Sequence, residues 1–342
     1  MTLINRRRLS LCLAAVAAIP FAPAATLAQG KPETVRLSMG STNDPAYLPF
    51  FVAIDKGFYR QLGLDVQPLF VGGGVAIPAL LSGSLEFTSS TGSAITAALK
   101  GGALKIVMNL SERVPWKLWA TRPEIATLAD LKGKAVGIQT RGDLFDMSMR
   151  TVLMDAGMDP DAVRYVALGF GSGARIAAIQ DGLLDAVMLT NLEERILRER
   201  GELNGAHILV DVSHTIRVPN NGLAVSDAML AKNPALVERM VRGTLMAMRY
   251  IELQRAGALR IYAEHAPDLS PAVLRGSLDE TASTFLDDGM ASLAARRSEI
   301  AVRGSIVNLS AAQQPAPDKI FDYALVKQAA QKLQADHWTP AE

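Results

Sequence analysis

From residue 34 onward, apolar and polar positions follow two rhythms in turn. Thr34-Val35-Arg36-Leu37-Ser38-Met39 is apolar at every second position, the period of a strand. Residues 46–62 then carry the three-to-four spacing of a helix, closed by Gly63. Residues 64–69, 85–88 and 105–109 read as further strands. Between them Gly72-Gly73-Gly74 opens a helix through Leu81, and another helix starts near Thr91. The pattern restarts after residue 126, with strands at 135–138, 163–168 and 185–189 and helices at 144–156 and about 174–181. From Ser226 the chain is chiefly helical, over 235–253, 256–263, 271–286 and 322–333. Such alternation predicts an α/β protein, its sheets mostly parallel and covered by helices on both faces.

The restart suggests two lobes. Residues 32–120 plus 220–300 would form the first, residues 121–219 the second, and 301–342 a helical segment packing on them. The chain would cross between lobes near 119–122 and 217–221. A length of 342 residues agrees with about two domains. Lys and Arg number 35 against 34 Asp and Glu, so the chain lacks the basic excess that binding a phosphate backbone demands. No nucleic-acid partner is expected, and 49% hydrophobic residues exclude a disordered chain.

The first thirty residues stand apart. Arg6, Arg7 and Arg8 precede an Ala/Leu-rich run, and no acidic residue occurs before Glu33. Pro20, Pro23 and the small residues up to Ala28 follow. This is the layout of a secretory signal over residues 1–28, and the arginine cluster suits Tat export as well as Sec. The two prolines and an apolar stretch of at most about 18 residues argue against an anchor. Cleavage would remove three arginines and Cys12, the single cysteine, leaving 32 basic against 34 acidic residues and no thiol chemistry. An exported chain without disulfides points to the periplasm.

Candidate chemistry gathers where strands meet helices. Ser41-Thr42-Asn43-Asp44, Gly72-Gly73-Gly74, Ser90-Thr91-Gly92-Ser93, Thr140-Arg141-Gly142-Asp143 and Gly171-Ser172-Gly173 all occupy such junctions. Unpaired helix N–H groups and hydroxyls collect there, on the crevice where open α/β sheets bind ligands. Any one cluster is equally explained as an N-cap; together they point to binding. Gly169-Phe170-Gly171-Ser172-Gly173-Ala174 matches a dinucleotide fingerprint formally, but it lies in the second unit and lacks the acidic residue that should end the next strand. No nucleotide or other cofactor is expected. The four histidines show no metal-ligand spacing, and no nucleophile elbow is present, so neither metal nor catalytic residues are expected. Arg141 could pair with a carboxylate or sulfonate, or sit in solvent. Tyr47 and Trp116 could stack on a ligand, whereas Trp119 suits packing.

Tyr47-Leu48-Pro49-Phe50-Phe51-Val52-Ala53-Ile54-Asp55-Lys56-Gly57-Phe58-Tyr59, followed by Leu62-Gly63-Leu64-Asp65-Val66, resembles the start of ABC-importer solute-binding proteins of the nitrate/sulfonate/taurine type. That family also includes binders of thiamine pyrimidine precursors. Ala79-Leu80-Leu81-Ser82-Gly83-Ser84-Leu85-Glu86-Phe87, Asp130-Leu131-Lys132-Gly133-Lys134, Gly182-Leu183-Leu184-Asp185-Ala186 and Asn221-Gly222-Leu223-Ala224-Val225 extend the likeness in order to about residue 250. Glu86 stands where the family usually has Asp, and the glycines at 72–74 lack an interrupting serine.

The resemblance implies a type II periplasmic binding protein fold: two α/β lobes, two crossing strands and a ligand clamped between them. Its binding positions correspond to the loop Ser41–Tyr47, with Ser41, Thr42 and Tyr47, to Gly73, Gly74, Thr91, Gly92, Ser93, Thr140, Arg141 and Gly142, and to the return segment near Thr190 and Asn220; Trp116 joins them on the strength of its ring alone. A monomer would capture a small organic anion such as a sulfonate or carboxylate by lobe closure, with no chemistry. It would deliver the ligand to an ABC permease and ATPase complex in the inner membrane. A periplasmic sensor subunit is the alternative. The related pyrimidine synthase carries a cysteine-rich motif that is missing here.

Overall fold

The computed structural model describes residues 31–169, 172–213 and 216–340, so the segment expected to be a signal and part of the glycine-rich turn at 169–174 lie outside it. Among the described residues ten strands follow one another: β1 Glu33–Met39, β2 Leu64–Phe70, β3 Phe87–Thr88, β4 Leu104–Arg113, β5 Trp116–Ala120, β6 Ala135–Ile138, β7 Arg164–Ala167, β8 Ala186–Thr190, β9 His207–Asp211 and β10 Arg217–Ser226. They build two five-stranded sheets, ordered β2-β1-β3-β10-β4 and β7-β6-β8-β5-β9. The two sheets lie within one compact unit, residues 32–342.

The sheets are mixed rather than mostly parallel. β1 pairs in parallel with β2 and β3, and β6 with β7 and β8. β10 runs antiparallel to β3 and β4, and β5 antiparallel to β8 and β9. The reversal follows from connectivity: β5 enters the second sheet directly from the first, and β10 returns directly, with no crossover helix to turn either strand parallel. The first crossing therefore falls at Val114-Pro115, because Trp116–Ala120 pairs along its whole length with β8. The return falls just before Arg217.

Central strands are apolar because helices cover both faces. All five residues of β8 and all four of β6 are buried. The longest helix, Pro234–Leu253, starts at an Asn233 cap with proline in its first turn and buries Leu236, Val237, Met240, Val241 and Leu245 along one stripe. The helix read over 46–62 is three pieces: a 3₁₀ turn Pro45–Tyr47, then Leu48–Asp55 and Phe58–Gln61. Gly57, at φ +71°, breaks the last two apart. Helices Asn191–Glu199 and Leu293–Ile306 add to those read from the pattern. The terminal segment belongs with the first sheet: Phe321 bridges to Ile106, and helix Ala324–Ala335 packs on Pro234–Leu253.

Candidate functional site

The first lobe carries β1 into the 40–47 loop, and the second carries β6 into Gln139 and β8 into Thr190. These are strand C-terminal ends, and they face one another across a cleft that the crossing strands close from behind. The volume of the cleft is about 110 Å³.

The first lobe supplies a loop that holds its own shape. The Ser41 hydroxyl donates to Asn43 Oδ1 at 2.9 Å and accepts from the Asp44 amide at 3.2 Å. Asp44 caps the 3₁₀ turn by accepting from the Ala46 amide at 2.9 Å. Burial pushes the Asp44 carboxyl up to about 6; the Ala46 amide opposes the rise, Glu193 adds to it and Arg175 opposes it. The Tyr47 hydroxyl lies over Gly40, where a Cβ would stand only 2.5 Å from it. Ser111 and Asn220 face the cleft as register partners on β4 and β10. Gly222 makes that approach feasible: at φ +150° it brings β10 against Met108, whose carbonyl oxygen would lie 2.0 Å from a Cβ.

The second lobe supplies a stack. Trp116 and Phe145 lie face to face, with centroids 4.1 Å apart and planes 10° apart. The Arg175 guanidinium covers the other side of this pair, 4.4 Å from the Phe145 centroid. Arg175 is 3% exposed; its Nε donates to Glu193 Oε1 at 2.8 Å, and Nη2 lies 2.5 Å from the same oxygen as an ion pair. Nη1 makes no hydrogen bond among the described residues. Glu193, fully buried, also accepts from the Thr190 amide and hydroxyl at 3.0 and 3.1 Å, the capping box of helix Asn191–Glu199. One carboxylate thus fixes both the guanidinium and the cap at the cleft edge.

The residues expected from sequence fall in three places. Ser41, Tyr47, Trp116, Thr190 and Asn220 line the cleft. Gly73, Gly74, Ser93, Thr140, Arg141 and Gly142 line a second cavity of about 750 Å³, also walled by both lobes. Arg141 is exposed there and lies over the Tyr165 ring at 5.0 Å. Thr42, Thr91 and Gly92 line neither: Thr42 is exposed, Thr91 is buried and Gly92 lies under the Arg303 side chain. Asp143, which borders the second cavity, is also pushed up to about 6 by burial, against its bonds from the Asp146 and Thr140 amides.

Phe145, Arg175 and Asn191 line the cleft without having been singled out by sequence, and Asp44 lines it from within the expected Ser41-Thr42-Asn43-Asp44 cluster. Asn191 follows Thr190, so proximity to a chosen residue was its signal. Arg175 sits in the first turn of helix Ser172–Gln180, just past the glycine-rich segment that the fingerprint reading set aside.

A model of the NMT1/THI5 like family matches residues 44–254. The riboflavin-binding protein RibY of Chloroflexus aurantiacus is 30% identical over 240 residues, 68% of this chain and 66% of that protein. The match thus spans just under two thirds of RibY's length. A structure from Bordetella bronchiseptica RB50 superimposes with a TM-score of 0.76 at 22% identity, covering 89% of this chain and 99% of the other. The periplasmic aliphatic sulphonate binding protein SsuA from Escherichia coli gives 0.66 at 19% identity, covering 81% and 87%. These likenesses show the fold of periplasmic binding proteins. The family match runs from the first cleft loop through both sheets and their return strand, and the chain belongs to the NMT1/THI5-like family.

Proposed function

We propose that this protein is the periplasmic solute-binding subunit of an ABC importer, and that it captures a planar nitrogen heterocycle by closing two lobes over it. The observation that carries the reading is the composition of the cleft: a Trp116–Phe145–Arg175 stack from one lobe opposite hydroxyl, amide and carboxyl groups from the other. Stacked rings hold flat π surfaces, and edges bearing both donors and acceptors read ring N–H and C=O groups. The unpartnered Arg175 Nη1 is a donor already desolvated and waiting for an acceptor.

Charge argues against the small organic anion expected from sequence. Arg141 lies outside the cleft, the Arg175 charge is matched by Glu193, and Asp44 adds a carboxyl. A sulfonate would enter without a net positive partner. The RibY likeness supports the heterocycle, since that relative is named for riboflavin. Closure follows if the ligand touches both lobes at once, because those contacts exist in the closed state alone. Nothing in the cleft calls for a chemical step, so the ligand would leave unchanged through the membrane permease.

The experiment is a thermal-shift and calorimetric screen with riboflavin, its tail-less ring lumichrome, a hydroxymethylpyrimidine, taurine, methanesulfonate and nitrate. A ligand bound only by the native state raises the melting midpoint. The heterocycles should raise it and the anions should not; the reverse order refutes the reading.

A further inference from the structure

The lobes meet on both flanks of the cleft, and the two contacts are built differently. On one flank, helix Asn191–Glu199 of the second lobe lies against helix Pro271–Ala282 of the first. Val273 from the first lobe is buried in the same apolar cluster as Ile176, Leu189, Leu192 and Ile196. The Asn191 amide, also buried, donates to the Ser277 carbonyl and the Thr281 hydroxyl, each at 2.9 Å. Arg195 pairs with Glu280 at 3.1 Å and fills the space above Gly276, where a Cβ would stand 2.3 Å from its guanidinium.

On the other flank helix Leu293–Ile306 of the first lobe approaches helix Leu144–Asp155 of the second, and a single side chain makes the hydrogen bond between the lobes. Arg303 belongs to helix Leu293–Ile306, which packs on the first sheet through Ile300. It is 1% exposed, pairs with Glu299 one turn earlier and donates to Thr96 Oγ1 at 2.9 Å. The same Nη1 donates at 2.7 Å to the carbonyl of Gly142, in the second lobe. Both neighbouring glycines are shaped to this contact. A Cβ on Gly92 would lie 2.5 Å from Arg303 Nη2, and Gly142 turns at φ +78°. Beside it lies the second cavity, of about 750 Å³ and walled by both lobes.

We propose that Arg303 is a latch that holds the 140–143 turn against the first lobe in the closed state, and that the cleft opens on this flank while the other stays shut. Parting the first flank would expose an apolar cluster and strand the Asn191 amide. Releasing Gly142 breaks one hydrogen bond, leaves Arg303 on Glu299 and Thr96, and gives the carbonyl to water already at hand in the cavity. The second cavity is then the vestibule through which the ligand enters. This inference rests on the lobe-closure reading but not on the identity of the ligand.

The test needs no ligand, so its failure is separable from failure of the binding screen. Nitroxide labels are placed in the full chain carrying Cys12→Ser, one pair at Val75→Cys and Met154→Cys across the second cavity, another at Arg200→Cys and Ala272→Cys across the other flank. Electron–electron distance measurements should show a short, closed separation and a longer, open one for the Val75/Met154 pair, and one short separation for the Arg200/Ala272 pair. Arg303→Lys keeps a charge beside Glu299 but has one nitrogen where arginine uses two, Nε on Glu299 and Nη1 on Thr96 and Gly142. It should move the closed-to-open ratio of the Val75/Met154 pair toward longer distances by about tenfold or more, leaving the Arg200/Ala272 pair unmoved. The double variant Glu299→Gln with Arg303→Gln, which strands no charge, gives the same reading if the lysine variant does not fold by circular dichroism. A Val75/Met154 distribution unchanged by the variant, or movement of the Arg200/Ala272 pair, overturns the proposal.

Discussion

Arg175→Met separates the two roles of the buried guanidinium. Methionine keeps an unbranched side chain against Phe145 but removes the charge, and Glu193 retains only its two bonds from Thr190. Glu193 is fully buried and Arg175 3% exposed, so the carboxylate left behind finds no water. Removing one partner of such a pair costs about 3–5 kcal/mol. Adding Glu193→Gln removes the stranded charge while its amide oxygen still accepts from the Thr190 amide, and should restore at least ~2 kcal/mol of that loss. The assay is urea unfolding of wild type, both single variants and the double variant, followed by tryptophan fluorescence. The same variants report on the cleft. If Nη1 serves a ligand acceptor, both the single and the double variant bind the heterocycle about tenfold or more weakly, although only the single is badly destabilised. A single variant that costs less than about 1 kcal/mol, or a double no more stable than the single, refutes the buried-pair reasoning.

Three further outcomes are expected. The folded state holds the Asp44 and Asp143 protons to about pH 6, well above an unfolded aspartate near 4. Their contribution to stability is therefore complete below about pH 4 and is lost as pH rises through about 6. The melting point of wild type relative to Asp44→Asn should accordingly rise as pH falls from 7 to 5; a difference independent of pH contradicts the burial. Trp116→Leu keeps apolar volume and deletes the π face, so calorimetry should show affinity for a planar ring falling about twofold to tenfold, and an unchanged constant removes stacking from the account. Gly222→Ala sets a methyl 2.0 Å from the Met108 carbonyl oxygen at a strained φ, and should cost more than about 3 kcal/mol in urea unfolding; a near-native midpoint means the return strand shifts freely.

Local pattern alone established the alternation of strands and helices, the restart after residue 126 and the glycine and hydroxyl clusters at the strand ends. Those follow from side-chain period, caps and glycine, which act over a few residues. The ordered matches from Tyr47 to Val225 added the fold, because a binding-protein topology leaves its turns at recognisable intervals. Which loops share a cavity was a different matter. Thr140, Arg141 and Gly142 read as cleft residues by position, yet they face the second cavity, because Arg303, 161 residues further on, draws Gly142 toward the first lobe. Arg175 occupies the cleft because it is locked to Glu193 and stacked on Phe145, neither of which is next to it in the chain. Trp116 reaches the site because β5 pairs with β8 rather than continuing the first sheet. Sequence period specifies which face of an element is buried, but not what it is buried against; that choice is made by contacts between distant segments, and only the packed chain contains them.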